Sequence, residues 1–72
     1  MTEKQLLKKL GFKIKQLRTE KGLSQNKFGL EIEMEKSNVS RMESGEHNVK
    51  IGTLLRVSKA LEISLSELLD IN

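Results

Sequence analysis

The 72-residue chain contains no cysteine, proline, tryptophan or tyrosine, and it has only two phenylalanines. Without cysteine there is no disulfide framework, no thiolate metal site and no thiol nucleophile, and a single histidine, His47, cannot hold a zinc ion by itself. No apolar run approaches the roughly 18 residues of a membrane span, and the N-terminus lacks the apolar stretch of a secretory signal. We therefore expect one domain over residues 1–72, in the cytoplasm, with no membrane contact and no separate sensing or catalytic domain.

Charge is distributed unevenly along the chain, which carries a net charge of +3. Residues 1–30 hold eight basic and two acidic side chains, a balance of +6, whereas residues 31–72 hold five basic and eight acidic ones, a balance of −3. A basic half favours a partner that bears phosphates. The alternative is a solvated helix face without a partner, and the lysines alone do not decide between the two.

Leucine, lysine, glutamate and serine dominate the composition, which favours helix over sheet and predicts an all-α fold. Apolar residues recur at spacings of three and four from Leu7 to Leu17, as on one face of a helix. Ser24 is a good N-cap for the next helix, and Ser64 with Glu67 has the spacing of a capping box. These signals predict five helices, at about residues 3–20, 25–31, 36–44, 51–61 and 65–70.

Two short helices joined by a tight turn, predicted at about residues 25–44, are typical of a helix-turn-helix. The residues around them form a specific combination: Leu23-Ser24-Gln25, then Val39-Ser40-Arg41-Met42-Glu43 with Gly45, then Thr53-Leu54-Leu55. Through these residues the chain resembles, from Leu10 to Leu69, the Cro/repressor type of helix-turn-helix protein, also called the xenobiotic-response-element type. The resemblance implies a compact five-helix, lambda-repressor-like DNA-binding domain.

The resemblance also implies that the third helix lies in the major groove of double-stranded DNA. The positions that match base-contacting positions of the family are Lys36, Ser37, Ser40 and Arg41. Arg41 can donate two hydrogen bonds to O6 and N7 of guanine, which discriminates against other bases by about 1–3 kcal/mol. Lys36 can reach guanine or a phosphate, whereas the two serines are weakly selective. The alternative for Arg41 is a surface residue paired with a nearby acid.

Other positions match contacts to the DNA backbone, which fix the register of a protein on DNA without specifying sequence. Gln25 stands at the start of the second helix, where free amides and the helix dipole favour a phosphate; its alternative is an ordinary polar first-turn residue. Further backbone contacts are expected from Asn38, Ser44 and Lys50. Arg18 and Glu43 match positions that pair in the family, so we expect a structural ion pair that sets the angle of the third helix.

Several residues depart from the family pattern. Glu33 replaces the usual glycine of the turn, so a non-glycine residue is expected in a left-handed conformation there at a cost of about 1 kcal/mol. Gly29 replaces the usual alanine, which weakens the second helix but keeps its close approach to the third. Glu31, Glu33 and Glu35 cluster where they would repel phosphates. We expect these carboxylates to point partly away from DNA or to lower the affinity for it.

The predicted fifth helix is too short to bury all its apolar residues within one chain. We expect an isologous dimer contact through Leu65, Leu68, Leu69 and Ile71, the alternative being that they close the core of the monomer. The predicted function is a sequence-specific transcription regulator that acts as a homodimer on a palindromic operator. The alternative is a protein-interaction module on the same fold. No nucleophile–base pair is visible, so an enzyme is not expected, nor is a cofactor, a metal or a small-molecule ligand.

Overall fold

A computed structural model describes residues 1–71, and all regular structure in this range is helical. The helices are α1 (Glu3–Glu20), α2 (Gln25–Ile32), α3 (Lys36–Ser44), α4 (Ile51–Ala60) and α5 (Leu65–Leu68). The predicted all-α fold with five helices is therefore confirmed. The largest difference is at α5, which ends two residues before the predicted boundary. Over the described residues, no helix combines the length and apolarity needed to cross a membrane.

Hydroxyl side chains fix the start of three helices. Thr2 accepts a hydrogen bond from the amide of Gln5, and the Gln5 side chain accepts one from the amide of Thr2, which together form a capping box on α1. Ser24 caps α2 and Ser64 caps α5, as the sequence predicts. At α5 only the serine half of the predicted box is formed among the described residues, because the Ser64 amide does not donate to the Glu67 side chain.

Apolar side chains from all five helices meet in one core. The fully or nearly fully buried ones are Leu10, Ile14, Phe28, Ile32, Val39, Met42, Leu54, Val57, Leu61 and Leu68. Each fully buried aliphatic or aromatic side chain contributes about 1.5–3 kcal/mol relative to exposure. This core joins α2 to α3 and α4, and so fixes the two short helices on the long α1 and on α4.

α5 packs against the core instead of lying apart from it. Leu68 has no exposed surface, and Leu65 is half-buried against the same core. The Lys13 side chain of α1 donates hydrogen bonds to the backbone carbonyls of Glu67 and Asp70, the second at 2.9 Å, and so holds the end of α5. The prediction that Leu68 lies in a contact between two chains is therefore wrong, because its side chain already fills the core of one.

α1 and α3 cross backbone against backbone at two glycines. A Cβ on Gly11 would lie 2.5 Å from the carbonyl oxygens of both Met42 and Glu43, so only glycine fits this crossing. Gly45 ends α3 with φ 76°, and a Cβ there would lie 2.7 Å from Cα of Lys8. The C-terminal end of α3 is thus held directly on α1.

The turn between α2 and α3 has the conformation that the sequence predicts. Glu33 has φ 59° and ψ 45°, which is left-handed, and its amide donates to the carbonyl of Gly29. A Cβ on Gly29 would overlap the carbonyl oxygen of Met34 and would lie 3.3 Å from a methyl group of Val39. Glycine at this position therefore permits the close approach of α2 to the turn and to α3.

Candidate nucleic-acid interface

One side of α3 is exposed and polar, and the other is buried. The predicted base-contacting residues Lys36, Ser37, Ser40 and Arg41 are all exposed. Val39, Met42 and Glu43 lie on the buried side of α3. At 3.6 residues per turn, positions 39, 42 and 43 share one face of the helix, and positions 37, 40 and 41 lie around the opposite face. The nine residues of α3 span about 13 Å. A rod of this size with one polar side suits a major groove about 12 Å wide.

A groove of about 490 Å³ separates α3 from the start of α4. Seven of the residues that line it have side chains that can donate hydrogen bonds, namely Asn38, Arg41, His47, Asn48, Lys50, Thr53 and Arg56. The structure therefore brings Asn38 and Lys50, two of the predicted backbone-contacting residues, beside Arg41. Sequence reasoning assigned no contact to Thr53 or Arg56. The sequence pattern that could have identified them is the spacing of three from Lys50 to Thr53 and again from Thr53 to Arg56, which places these residues along one face of α4.

Arg56 connects α4 to the end of α2. Its Nε donates to the carbonyl of Ile32 at 3.1 Å, and its Nη2 donates to Oγ1 of Thr53 at 3.3 Å. Ile32 is the last residue of α2 and precedes the left-handed Glu33. Arg56 thus donates to a carbonyl that has no intrahelical partner at the end of α2. It also places a positive charge beside the groove.

Two helices begin at this groove without a side-chain cap. The N-cap of α3 is Glu35 and the N-cap of α4 is Lys50, and neither makes a capping hydrogen bond through its side chain. Amides of the first turn and the helix dipole make such ends favourable for an anion. At α4 the charge of Lys50 adds to this effect, whereas at α3 the carboxylate of Glu35 opposes it.

A buried network joins α1, α2 and α3. Nε of Arg18 donates to Oε2 of Glu43 at 2.6 Å, and Nη2 donates to Oε1 at 3.1 Å. Nη1 of Arg18 donates to the carbonyl of Leu23 at 2.7 Å, just before α2 begins. The Gln25 carboxamide donates to Oε1 of Glu43 at 3.0 Å. The two charged residues do pair, and Gln25, for which a DNA contact or the role of an ordinary polar first-turn residue was predicted, also belongs to the network.

Ser44 lies at the end of α3, away from the groove between α3 and α4. Its hydroxyl is 2.6 Å from a carboxylate oxygen of Glu46 and 3.0 Å from the carbonyl of Arg41. A hydroxyl has one hydrogen to donate, and the carboxylate is the stronger acceptor. A phosphate at Ser44 would compete with Glu46 for that hydrogen and be repelled by its charge, so a contact there remains a prediction.

The three glutamates that were predicted to cluster near the DNA, Glu31, Glu33 and Glu35, are all exposed but have different neighbours. Glu31 and Glu33 line a shallow groove together with Arg56 and Lys59 of α4. Arg56 and Lys59 lie on the α4 side of the turn, whereas Glu33 also lines the groove between α3 and α4. Glu35 alone stands at the start of α3.

Large apolar side chains are also exposed on α4 and next to α5. Ile51 is 67% exposed and Leu55 is 46% exposed, and the spacing of four places them on one face of α4. Leu69 is 42% exposed, and Ile71 is half-buried beside it in an apolar groove of about 350 Å³ that also contains Leu6. Of the residues predicted for a dimer contact, Leu69 and Ile71 are therefore accessible, Leu65 is partly so and Leu68 is not.

The sequence and the fold match known proteins over most of the chain. The family described as helix-turn-helix matches residues 14–68. The control protein C.MunI of a Mycoplasma species is 41% identical over 61 residues, which are 83% of this chain and 82% of that protein. The control protein C.BamHI of Bacillus amyloliquefaciens is 34% identical over 61 residues, 83% of this chain and 75% of that protein.

The fold also superimposes on a solved structure, the restriction-modification controller protein C.AhdI from Aeromonas hydrophila. The TM-score is 0.83 at 37% identity, and the match covers 86% of this chain and 94% of that one.

Proposed function

Because the chain belongs to the helix-turn-helix family, we propose that it is a transcription regulator which binds a specific sequence of double-stranded DNA. The observation that carries the proposal is the exposed edge of α3, where Lys36 and Arg41 stand on a helix whose other side is buried. The α3 edge enters the major groove. Arg41 there donates to a guanine, and Lys36 donates to a guanine or a phosphate.

The DNA backbone beside that groove is held by donors from three helices. Gln25 at the start of α2 and Asn38 near the start of α3 are neutral donors. Lys50 and Arg56 line the groove between α3 and α4 and add positive charge. These contacts set the register of the protein on DNA, and Arg41 supplies the sequence preference.

The names of the relatives support one kind of transcription regulator. Two of them are named control proteins, and a third is named a restriction-modification controller protein. We infer that this chain has the same role, acts in the cytoplasm, has no enzymatic activity of its own and regulates by occupying its operator.

The apolar surface at the α4–α5 end supports action as a homodimer. Ile51 and Leu55 of α4 together with Leu69 and Ile71 form the isologous contact, in place of the predicted Leu68. A dimer presents two α3 helices to half-sites about 34 Å apart, which gives a palindromic operator. The serine variants Ile51→Ser and Leu55→Ser combined are expected to sediment as monomer, whereas Leu30→Ser, which replaces an apolar residue that is 82% exposed on α2, is expected to sediment as wild type. A double variant that stays dimeric would place the contact elsewhere.

Selection from random duplexes, followed by a salt titration on the recovered site, tests the function. The expected result is a symmetric site. With six or more phosphate contacts, the affinity is expected to fall by about 10³-fold or more between 50 and 200 mM salt. If no duplex is enriched even at 50 mM salt, the DNA-binding function is wrong and the chain is a protein-interaction module on this fold.

A further inference from the structure

The side chain of Gln25 has a defined orientation in the free protein. Its Nε2 lies 3.0 Å from Oε1 of Glu43, which belongs to α3. An ionised carboxylate only accepts hydrogen bonds, so the amide nitrogen and not the amide oxygen of Gln25 must face it. The bond therefore determines which end of the carboxamide points into the protein.

Glu43 itself is held rigidly and its charge is balanced. Both of its oxygens accept from the guanidinium of Arg18, at 2.6 and 3.1 Å, and both residues are less than one-tenth exposed. The same guanidinium donates to the carbonyl of Leu23, which fixes the chain just before α2. Because the arginine neutralises the carboxylate, Glu43 holds Gln25 without leaving an excess negative charge near the start of α2.

A primary amide nitrogen carries two hydrogens in one plane, about 120° apart, and Glu43 occupies one of them. We propose that Glu43 is a positioning residue for Gln25: by holding one Nε2 hydrogen it directs the other outward, where it donates to a DNA phosphate at the start of α2. This inference rests on the proposed function, in which Gln25 contacts the DNA backbone. Two helices are thereby coupled, because Glu43 belongs to α3 and the phosphate contact belongs to α2.

The alternative is that the Gln25–Glu43 bond only stabilises the fold and has no effect on DNA. The two accounts differ in what happens to the second hydrogen. In the positioning account it exchanges freely with water in the free protein and becomes protected when DNA binds. In the purely structural account only the first hydrogen is ever protected.

Side-chain amide signals of the ¹⁵N-labelled wild-type protein measure this difference directly, without and with the duplex recovered by selection. The expected result is one slowly exchanging Gln25 Nε2 hydrogen in the free protein and two in the complex. One protected hydrogen in both states, or none in the complex, overturns the inference. Gln16, an exposed glutamine of α1, is the control and should show two freely exchanging hydrogens throughout.

A set of variants tests the coupling on DNA affinity. Gln25→Met keeps the length of the side chain and removes its donors, and it is expected to lower the affinity for every duplex about tenfold, as for a lost hydrogen bond to a charged group. Gln25→Asn keeps an amide but is one methylene too short to reach Glu43, and it is expected to lose nearly as much. Wild-type affinity in Gln25→Asn overturns the inference, and Gln16→Met should bind DNA as wild type does.

Glu43→Gln, measured where circular dichroism shows that it is folded, completes a double-mutant cycle with Gln25→Met. The expected result is that Glu43→Gln lowers DNA affinity at least about threefold more in the wild-type background, where Gln25 is present, than in the Gln25→Met background. Equal losses in both backgrounds overturn positioning and leave a structural role. If Glu43→Gln does not fold, Gln25→Asn and the amide signals decide.

Absence of any bound duplex overturns the proposed function itself and this inference with it, whereas a bound duplex with unaltered affinity in the Gln25 variants overturns only the inference.

Discussion

Two regions of this molecule are built differently. Where α1 crosses α3, Gly11 and Gly45 bring the backbones together, and the ion pair of Arg18 and Glu43 lies buried beside them. At the α4–α5 end, large apolar side chains such as Ile51 remain on the surface. The crossing is closely packed within one chain, whereas the α4–α5 region leaves apolar area that a second chain can cover. The tight crossing therefore sets the position of α3, and the exposed end is available for assembly.

Removal of one partner of the buried ion pair should destabilise the region of the α1–α3 crossing most strongly. Arg18→Met would leave the buried carboxylate of Glu43 without its counter-charge, and we expect a loss of about 3–5 kcal/mol in the free energy of unfolding. Denaturant titration at pH 7 measures it. Lys21→Met is the matched control, since it cuts the exposed pair of Lys21 with Glu62 and should change stability little. Equal effects of the two variants would show that the buried pair is not special.

Replacement of Leu68 and Leu69 by alanine, one at a time, distinguishes the role of the buried side chain from that of its exposed neighbour. Leu68→Ala should lower the free energy of unfolding by about 2–5 kcal/mol, because Leu68 has no exposed surface and a cavity would remain. Leu69→Ala should change the stability of the monomer by about 0.5 kcal/mol or less. Its effect should instead appear as weaker association in sedimentation. If Leu68→Ala only dissociated a dimer and left monomer stability unchanged, the placement of α5 would be wrong.

A pair of glycines tests the crossing itself. In Gly11→Ala the new methyl group would meet backbone carbonyls at 2.5 Å, and we expect a loss of about 2–3 kcal/mol. In Gly52→Ala the methyl group would meet nothing within 4 Å on an exposed helix, and we expect a gain of about 0.5–1 kcal/mol. Thermal unfolding of both variants gives the comparison. A stabilised Gly11→Ala would mean that α1 and α3 are further apart than the structure has them.

The sequence is informative where local chemistry decides the structure. Ser24 and Gly45 mark helix ends, and the five helices follow from such signals with boundary errors of at most two residues. The exposed edge of α3 follows equally from the helical repeat. By contrast, the burial of Leu68 depends on where a four-residue helix docks, which no local pattern encodes. The bond between Gln25 and Glu43 joins residues 18 positions apart, so it too appears only once α2 and α3 are placed together.

The left-handed positions give a smaller effect. Glu33→Gly should raise the free energy of unfolding by about 1 kcal/mol, because glycine adopts φ 59° without the Cβ clash. Glu62 has the same φ, but its side chain bonds to Lys21, so Glu62→Gly should gain less. Denaturant titrations of the two variants measure the difference. A Glu33→Gly protein less stable than wild type would show that Glu33 contributes a favourable interaction through its side chain.

The smallest expected effect is the pH dependence of the Lys21–Glu62 pair. The hydrogen bond from Lys21, together with its positive charge, lowers the pKa of the Glu62 carboxyl below its usual value of 4.5. A lowered pKa in the folded state means that the stabilisation is present above the unfolded-state pKa and is lost as the pH falls through the folded one. Lys21→Gln should therefore be slightly less stable than wild type at pH 7, and this difference should shrink as the pH falls through the folded-state pKa of Glu62. A difference that stays unchanged across the acid titration would show that the pair contributes nothing through ionisation.

The central claim is that the exposed edge of α3 determines which DNA sequence is bound. The direct measurement is the affinity of wild type and Arg41→Ala for the selected operator and for every single-base-pair variant of it, with Lys59→Ala, an exposed cation of α4, as the control. Loss of discrimination at one symmetric pair of positions, worth about 1–3 kcal/mol, is expected for Arg41→Ala alone. If Arg41→Ala instead weakened binding equally on every duplex and kept all preferences, Arg41 would contact only the backbone and the claim would be contradicted.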